Sequence, residues 1–288
     1  MPMITSNPFE VLSASLPLEP GVMQAYVVLM VFLVVGGTLL DVVHKKSGKY
    51  FFEKGQALKK IAKREVSGGE KVGLAVSTFV NEVLRSSEFE NRDRRISHLF
   101  TMYGFIFFVV TTAILIFGLP AAEGGAPITA LLWHLGALSI CFGGYWFWFK
   151  IRVDVRAEGN QWYNVHQSDL FVVSLLLMGT FALVWSALQA ITGATSALSI
   201  VAFVAFIAAS TTLFSTILWS KFAHMFFKPA AAFQKKVAVA DGSRDKLPEI
   251  PDLSSAECKE RYPDIPEYMG DNPPNMGLGI KREAPSHY

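Results

Sequence analysis

The chain has 288 residues, of which 51% are hydrophobic and only 17% charged, and its mean hydropathy is +0.35. Soluble chains carry about a quarter charged residues, so this composition excludes an ordinary soluble domain and indicates an integral membrane protein. The net charge of +2 gives no reason to expect a nucleic-acid partner, and Cys141 and Cys258 form no CxxC pair, which excludes a zinc ribbon, a Cys-ligated iron–sulfur cluster and a disulfide scaffold.

Residues 1–21 lack the basic stretch of a cleavable signal and read as an extracytoplasmic N-terminal segment. A spanning helix needs about 20 apolar residues to cross about 30 Å of hydrocarbon. Five stretches meet this, at about 22–43, 96–118, 127–149, 168–191 and 197–227, and together they define a membrane domain over 22–227. The expected fold is an all-α integral membrane bundle of five transmembrane helices, with a cytoplasmic amphipathic hairpin and an extended C-terminal arm.

Lysine and arginine favour the cytoplasmic side of a membrane. Segments 1–21, 119–126 and 192–196 hold none, whereas 44–97 hold thirteen, 150–165 three and the tail from Lys228 onward nine. Lys221, at the inner end of the fifth span, completes the 26. Every cation then lies on one side, which places the N-terminus outside and the C-terminus in the cytoplasm of an inner (cytoplasmic) membrane.

Within the cytoplasmic segment 44–95, residues 50–65 read as a short basic helix, Ser67-Gly68-Gly69 breaks it, and Val72, Val76, Phe79, Val80 and Val83 then recur at helical spacing. An amphipathic hairpin on the inner leaflet is the preferred reading, compatible with a docking surface for a soluble partner. The arm, 228–288, holds eight of the fourteen prolines and a near balance of nine basic and ten acidic residues, too polar to build a core. A disordered tail and an arm that orders on a partner fit this composition equally; in the second case the docking residues are Asn275, Met276, Leu278, Ile280, Lys281, Arg282, His287 and Tyr288.

The spans hold no mid-membrane carboxylate or cation, which argues against a transporter or pump and leaves the histidines to carry any chemistry. His98, His166 and His224 lie at the cytoplasmic level, His44 just beyond the first span and His287 in the tail. His134 alone lies in the outer half, about 10 Å below the boundary. A b-type haem needs two axial ligands at one depth. His98 and His224 meet that need, with His166 as substitute, Arg94, Arg95 and Lys221 toward the propionates, and Gly104, Phe105, Phe108, Ser215 and Trp219 lining a flat slot. The bland alternative is three interfacial histidines at helix ends. His134 has no partner for a second haem; it bonds a quinone or, more commonly for such a residue, an interhelical carbonyl. Met178 is a core residue before it is a ligand.

Trp219-Ser-Lys221-Phe-Ala-His224-Met-Phe-Phe-Lys228-Pro229 and Arg94-Arg95-Ile-Ser-His98 resemble the fifth and second helices of the nitrate reductase gamma-subunit type of membrane cytochrome b. Within that superfamily the chain looks most like the AprM-type membrane subunits associated with adenylylsulfate (APS) reductase. The closer likeness rests on the last helix and on the tail Asn275 to Tyr288. The resemblance implies a membrane anchor and electron-transfer subunit. It would link the flavin and iron–sulfur subunits of a cytoplasmic APS reductase to the membrane quinone pool through haem b. Substrate chemistry would stay in the partner. Phe108 and Phe206 stand where two-haem relatives carry a second histidine pair, so the resemblance implies a single haem. The alternative is a structural anchor without a cofactor.

Overall fold

In the computed structural model, the residues described are 5–15, 19–87, 89, 91–118, 127–153, 161–216, 224–247 and 255–261. Among them all regular structure is helical. The elements are α1 (Pro8–Ser15), α2 (Pro20–His44), α3 (Ser47–Lys60), α4 (Gly68–Thr78), α5 (Arg92–Phe117), α6 (Pro127–Trp146), α7 (Leu170–Thr192), α8 (Ala197–Ser215), α9 (His224–Ala240) and α10 (Ala256–Arg261). Wider π turns extend α4 over Phe79–Leu84 and α6 over Phe147–Ile151. Five helices are long and apolar enough to cross a membrane: α2, α5, α6 with its π turn, α7 with its preceding turn, and α8.

These five close a ring, α5 along α6, α6 along α7, α7 along α8, and α2 against both α8 and α5. Lipid is as apolar as leucine, so close backbone packing must replace the hydrophobic effect between spans. Glycines supply it between α5 and α6. A Cβ on Gly104 would stand 2.8 Å from both the Gly136 carbonyl oxygen and the Ile140 nitrogen, and one on Gly143 would stand 2.5 Å from the Ser97 carbonyl oxygen. Ser97 Oγ donates to the Gly143 carbonyl at 2.8 Å across the same seam. Tyr26 joins α2 to α8 through the Thr211 hydroxyl at 3.0 Å.

One end of the ring carries the lysines and arginines, and α1 closes the other. Asn7 Nδ2 donates to the Leu115 carbonyl at 3.2 Å, and Gln189 Nε2 donates to the Pro8 carbonyl at 3.2 Å. They seat Phe9 edge-on to Trp133 at 5.9 Å and to Trp185 at 5.3 Å. The alternative for α1, outside the spans, is water, so burying Phe9 and Leu12 contributes on the order of 2 kcal/mol each. Met178 packs in the same core.

At the basic end, α9 lies against α3, α4 and the π turn after α4. Gln234 Nε2 donates to the Phe51 carbonyl at 3.0 Å, and Lys236 pairs with Glu82 at 3.1 Å. The expected arm therefore begins as a helix: only one of its prolines, Pro229, falls in α9, and the apolar positions there have a surface to cover. The basic helix expected over 50–65 runs from Ser47 to Lys60, ending ahead of Ser67-Gly68-Gly69; the two glycines instead form the first turn of α4, which Ser67 Oγ caps by accepting from Glu70 N at 3.2 Å. Val72, Val76, Phe79 and Val80 form an exposed stripe on α4 and its π turn.

Of the expected fifth span, α8 covers Ala197–Ser215 with Thr216 as its cap, and His224 begins α9; residues 217–223 lie outside the described residues. The hydroxyls of Ser210, Thr211, Thr212 and Thr216 each bond the carbonyl four residues back, a competition with the helix ladder that bends and weakens helix ends.

Candidate functional site

Residues 85–87 and Phe89 fold back on the first turn of α5. Asn91 caps that helix, its Oδ1 accepting from Arg94 N at 3.1 Å. Arg95 Nε donates to the Arg85 carbonyl at 2.8 Å, and the Tyr103 hydroxyl donates to the Leu84 carbonyl at 2.7 Å. Ser86, at φ 46°, takes the left-handed conformation and is almost wholly buried. That conformation strains a serine, and such strain persists only where surrounding contacts hold it.

What holds it includes His98. Ser86 Oγ lies 3.1 Å from His98 Nδ1 and 3.4 Å from the Val83 carbonyl. A carbonyl only accepts, so the hydroxyl proton points to Val83 and the oxygen accepts from His98 Nδ1–H. This bond fixes the orientation of the imidazole on α5, as the partners of metal-ligating histidines commonly do. The half-buried imidazole packs on Phe89 with ring centroids 4.9 Å apart. Arg94 and Lys228 each place their cation 5.5 Å from the same ring. Residues 94 and 98 are one turn apart on α5, as are 224 and 228 on α9. Ser86, Phe89 and Lys228 thus join the cluster around His98. Ser86 and Phe89 have no sequence signal, while Lys228 belongs to the Trp219–Pro229 motif.

The remaining candidates are spread out. Lys221 and Trp219 lie outside the described residues, as do Asn275, Met276, Leu278, Ile280, Lys281, Arg282, His287 and Tyr288, and the side chain of His224 is likewise outside the description. His166 is exposed and starts the turn before α7, its backbone N donating to Asp169 Oδ2 at 2.9 Å. His134 is buried between α6 and α7. Its Nδ1 donates to the Ala130 carbonyl at 2.7 Å, which leaves Nε2 to accept from the Ser186 hydroxyl at 2.7 Å. Both of its nitrogens therefore serve the bundle, one to an intrahelical carbonyl and one across helices, and a quinone bonded there must displace Ser186. Among the described residues no three His, Cys, Asp or Glu side chains converge as a metal site, a pattern that a two-histidine haem does not require.

The expected slot divides. Gly104 faces the α6 backbone instead of an opening, because the glycine seam uses that surface, and Ser215 is exposed at the end of α8. Phe105 of α5 does face α8, its ring 6.3 Å from that of Phe214. Toward the α1 end, Phe108 and Phe206 meet edge to face at 6.2 Å, and Phe108 also packs on Trp133 at 5.1 Å. They are 2% and 4% exposed, both enclosed in the aromatic core.

Behind this cluster, Arg152 joins the end of α6 to the start of α7. Its guanidinium takes both oxygens of Asp169, with Nε donating to Oδ1 at 3.1 Å, donates to the carbonyls of Gln161 and Asn164, and lies 4.2 Å over Trp148. Lys150, pairing with Asp93 at 2.7 Å, ties α6 to the first turn of α5.

The fold and the five apolar helices define a multi-pass membrane protein. No protein family, characterised protein or solved structure matches the chain.

Proposed function

We propose that the protein is a membrane anchor and electron-transfer subunit of the AprM type, linking a cytoplasmic APS reductase to the quinone pool of the inner membrane through one b-type haem, with the N-terminus outside and the C-terminus in the cytoplasm. The observation that carries this reading is the Ser86–His98 bond, which orients the imidazole beside two cations. His98 and His224 would hold the haem, a pairing supported by the α9 register, in which Lys228 reaches the cluster one turn beyond position 224. The haem would supply one-electron transfer at the basic end. Arg94 and Lys228, with Lys221, offset propionate charge; Arg95 orders the loop through the Arg85 carbonyl. The aromatic packing of Phe108 and Phe206 supports one haem rather than two.

Ser86→Ala is expected to lower haem retention about tenfold to a hundredfold, the usual cost of removing the group that orients a histidine ligand. It should also shift the haem midpoint potential, which a mere structural cap would leave unchanged. Unchanged retention and potential would show that Ser86 only shapes the loop.

The second reading, a cofactor-free anchor, draws on His134, whose two ring nitrogens both bond within the bundle, and on His166, which is exposed at the turn before α7. Either reading uses the tail for docking. Deleting residues 270–288 is expected to abolish co-purification of the reductase while leaving the five-helix domain intact. Full-yield co-purification would remove the tail from the contact.

A further inference from the structure

Away from the histidine cluster, the end of α3 and the loop leaving α9 are locked together. Lys63 N and Arg64 N both donate to the Asp241 carbonyl, at 2.9 and 3.2 Å. The buried Asp241 side chain accepts from Ser243 N at 2.8 Å, and Ser243 Oγ donates to the Ala238 carbonyl at 3.3 Å. Gly242, at φ 77°, passes so close to Lys63 that a Cβ would stand 3.2 Å from that side chain. The next turn is then forced through three successive left-handed residues, Arg244, Asp245 and Lys246, at φ 44°, 57° and 64°. Such conformations cost a non-glycine residue roughly 1–3 kcal/mol each, and they gather at binding sites.

The strained turn completes a cavity of about 430 Å³ against α3, with Lys54, Lys60 and Lys246 on its walls and Leu58 and Ile61 as an apolar floor. Asp245 neutralises only one of the cations, pairing with Lys54 at 2.7 Å. That hydrogen bond holds the Lys54 ammonium charged, above the usual lysine range. Lys60 and Lys246 have no carboxylate partner among the described residues. Tyr50 and Phe52, exposed on the same helix, come directly after the α2 span and suit a membrane–water interface.

We propose that this cavity binds a phosphoryl group, with Lys60 and Lys246 as the principal cations and the apolar floor beside them accommodating the ester portion. The two sources of that chemistry are an anionic phospholipid headgroup of the adjoining leaflet and free phosphate.

The test uses the full chain in nanodiscs of phosphatidylcholine, alone, with phosphatidylglycerol added, or with inorganic phosphate in the buffer, and reads the thermal unfolding midpoint. A rise with phosphatidylglycerol only assigns a headgroup site; a rise with phosphate also assigns a free-anion site. A basic side chain near an anionic surface contributes about 1 kcal/mol, so Lys60→Gln/Lys246→Gln is expected to raise the anion concentration needed for a half-maximal rise about thirtyfold. Lys49→Gln/Lys59→Gln, the same charge change elsewhere on α3, should respond as the parent does. If the double variant does not fold in phosphatidylcholine, Lys246→Gln, on an exposed loop residue, is read alone. No rise with either anion, or a Lys246 variant that responds like the parent, overturns the proposal.

Discussion

Adding a single methyl group at Gly104 is expected to destabilise the bundle by about 3 kcal/mol, whereas the same change at Gly36 leaves stability unchanged or raises it. The two glycines are both in spans and look alike in sequence. A Cβ at position 104 meets backbone atoms of α6 at 2.8 Å on two sides, and backbone cannot move aside as a flexible side-chain end can. Relief would require α5 and α6 to separate, breaking the Ser97–Gly143 hydrogen bond of the same seam. At Gly36 nothing lies within 4 Å, so alanine adds only its helix preference, about 0.5–1 kcal/mol over glycine. Reversible unfolding of Gly104→Ala and Gly36→Ala in detergent, monitored by circular dichroism, measures both. Equal stabilities would contradict the close approach of α5 and α6.

The second large effect is at Arg152. Removing the guanidinium by Arg152→Ala leaves Asp169 as a largely enclosed carboxylate without its partner, a loss that typically costs about 3–5 kcal/mol. The Gln161 and Asn164 carbonyls lose a donor in the same change, and Trp148 loses its cation. Arg152→Lys should recover only part, because an ammonium cannot bond both carboxylate oxygens and two carbonyls from one planar group. Most of the loss should return in Arg152→Ala/Asp169→Asn, since the uncompensated charge is then gone. Additive costs in the double variant would show that the pair is not coupled.

The spans were legible in the sequence because bilayer crossing depends on a property each segment carries by itself, its length of apolar chain. Their order round the ring was not, since it depends on which faces carry Gly104, Gly136 and Gly143, and glycine has no hydropathy signature. Helix α1 was legible only as a segment outside the membrane: eight residues give too short a pattern, and its order comes from Phe9 entering between Trp133 and Trp185. The prolines of the tail hid α9, because composition averages a helical stretch together with the proline-rich residues beyond it.

At the candidate site, His98 was legible by its residue type and depth. Ser86 was not, as a lone serine twelve residues away announces nothing until the loop folds back. Phe108 was legible as a slot residue and Phe206 only through the resemblance; their contact makes them two rings of one aromatic core.

The central claim is that His98 holds a haem that passes electrons between the docked reductase and the membrane. A reduced-minus-oxidised spectrum of the purified full-length protein, with haem quantified per chain, tests it most directly. The expected result is one b-type haem per chain in the parent and none in His98→Ala, with both proteins eluting as the same folded species. A parent protein purified intact with no b-type band would contradict it and leave the cofactor-free anchor.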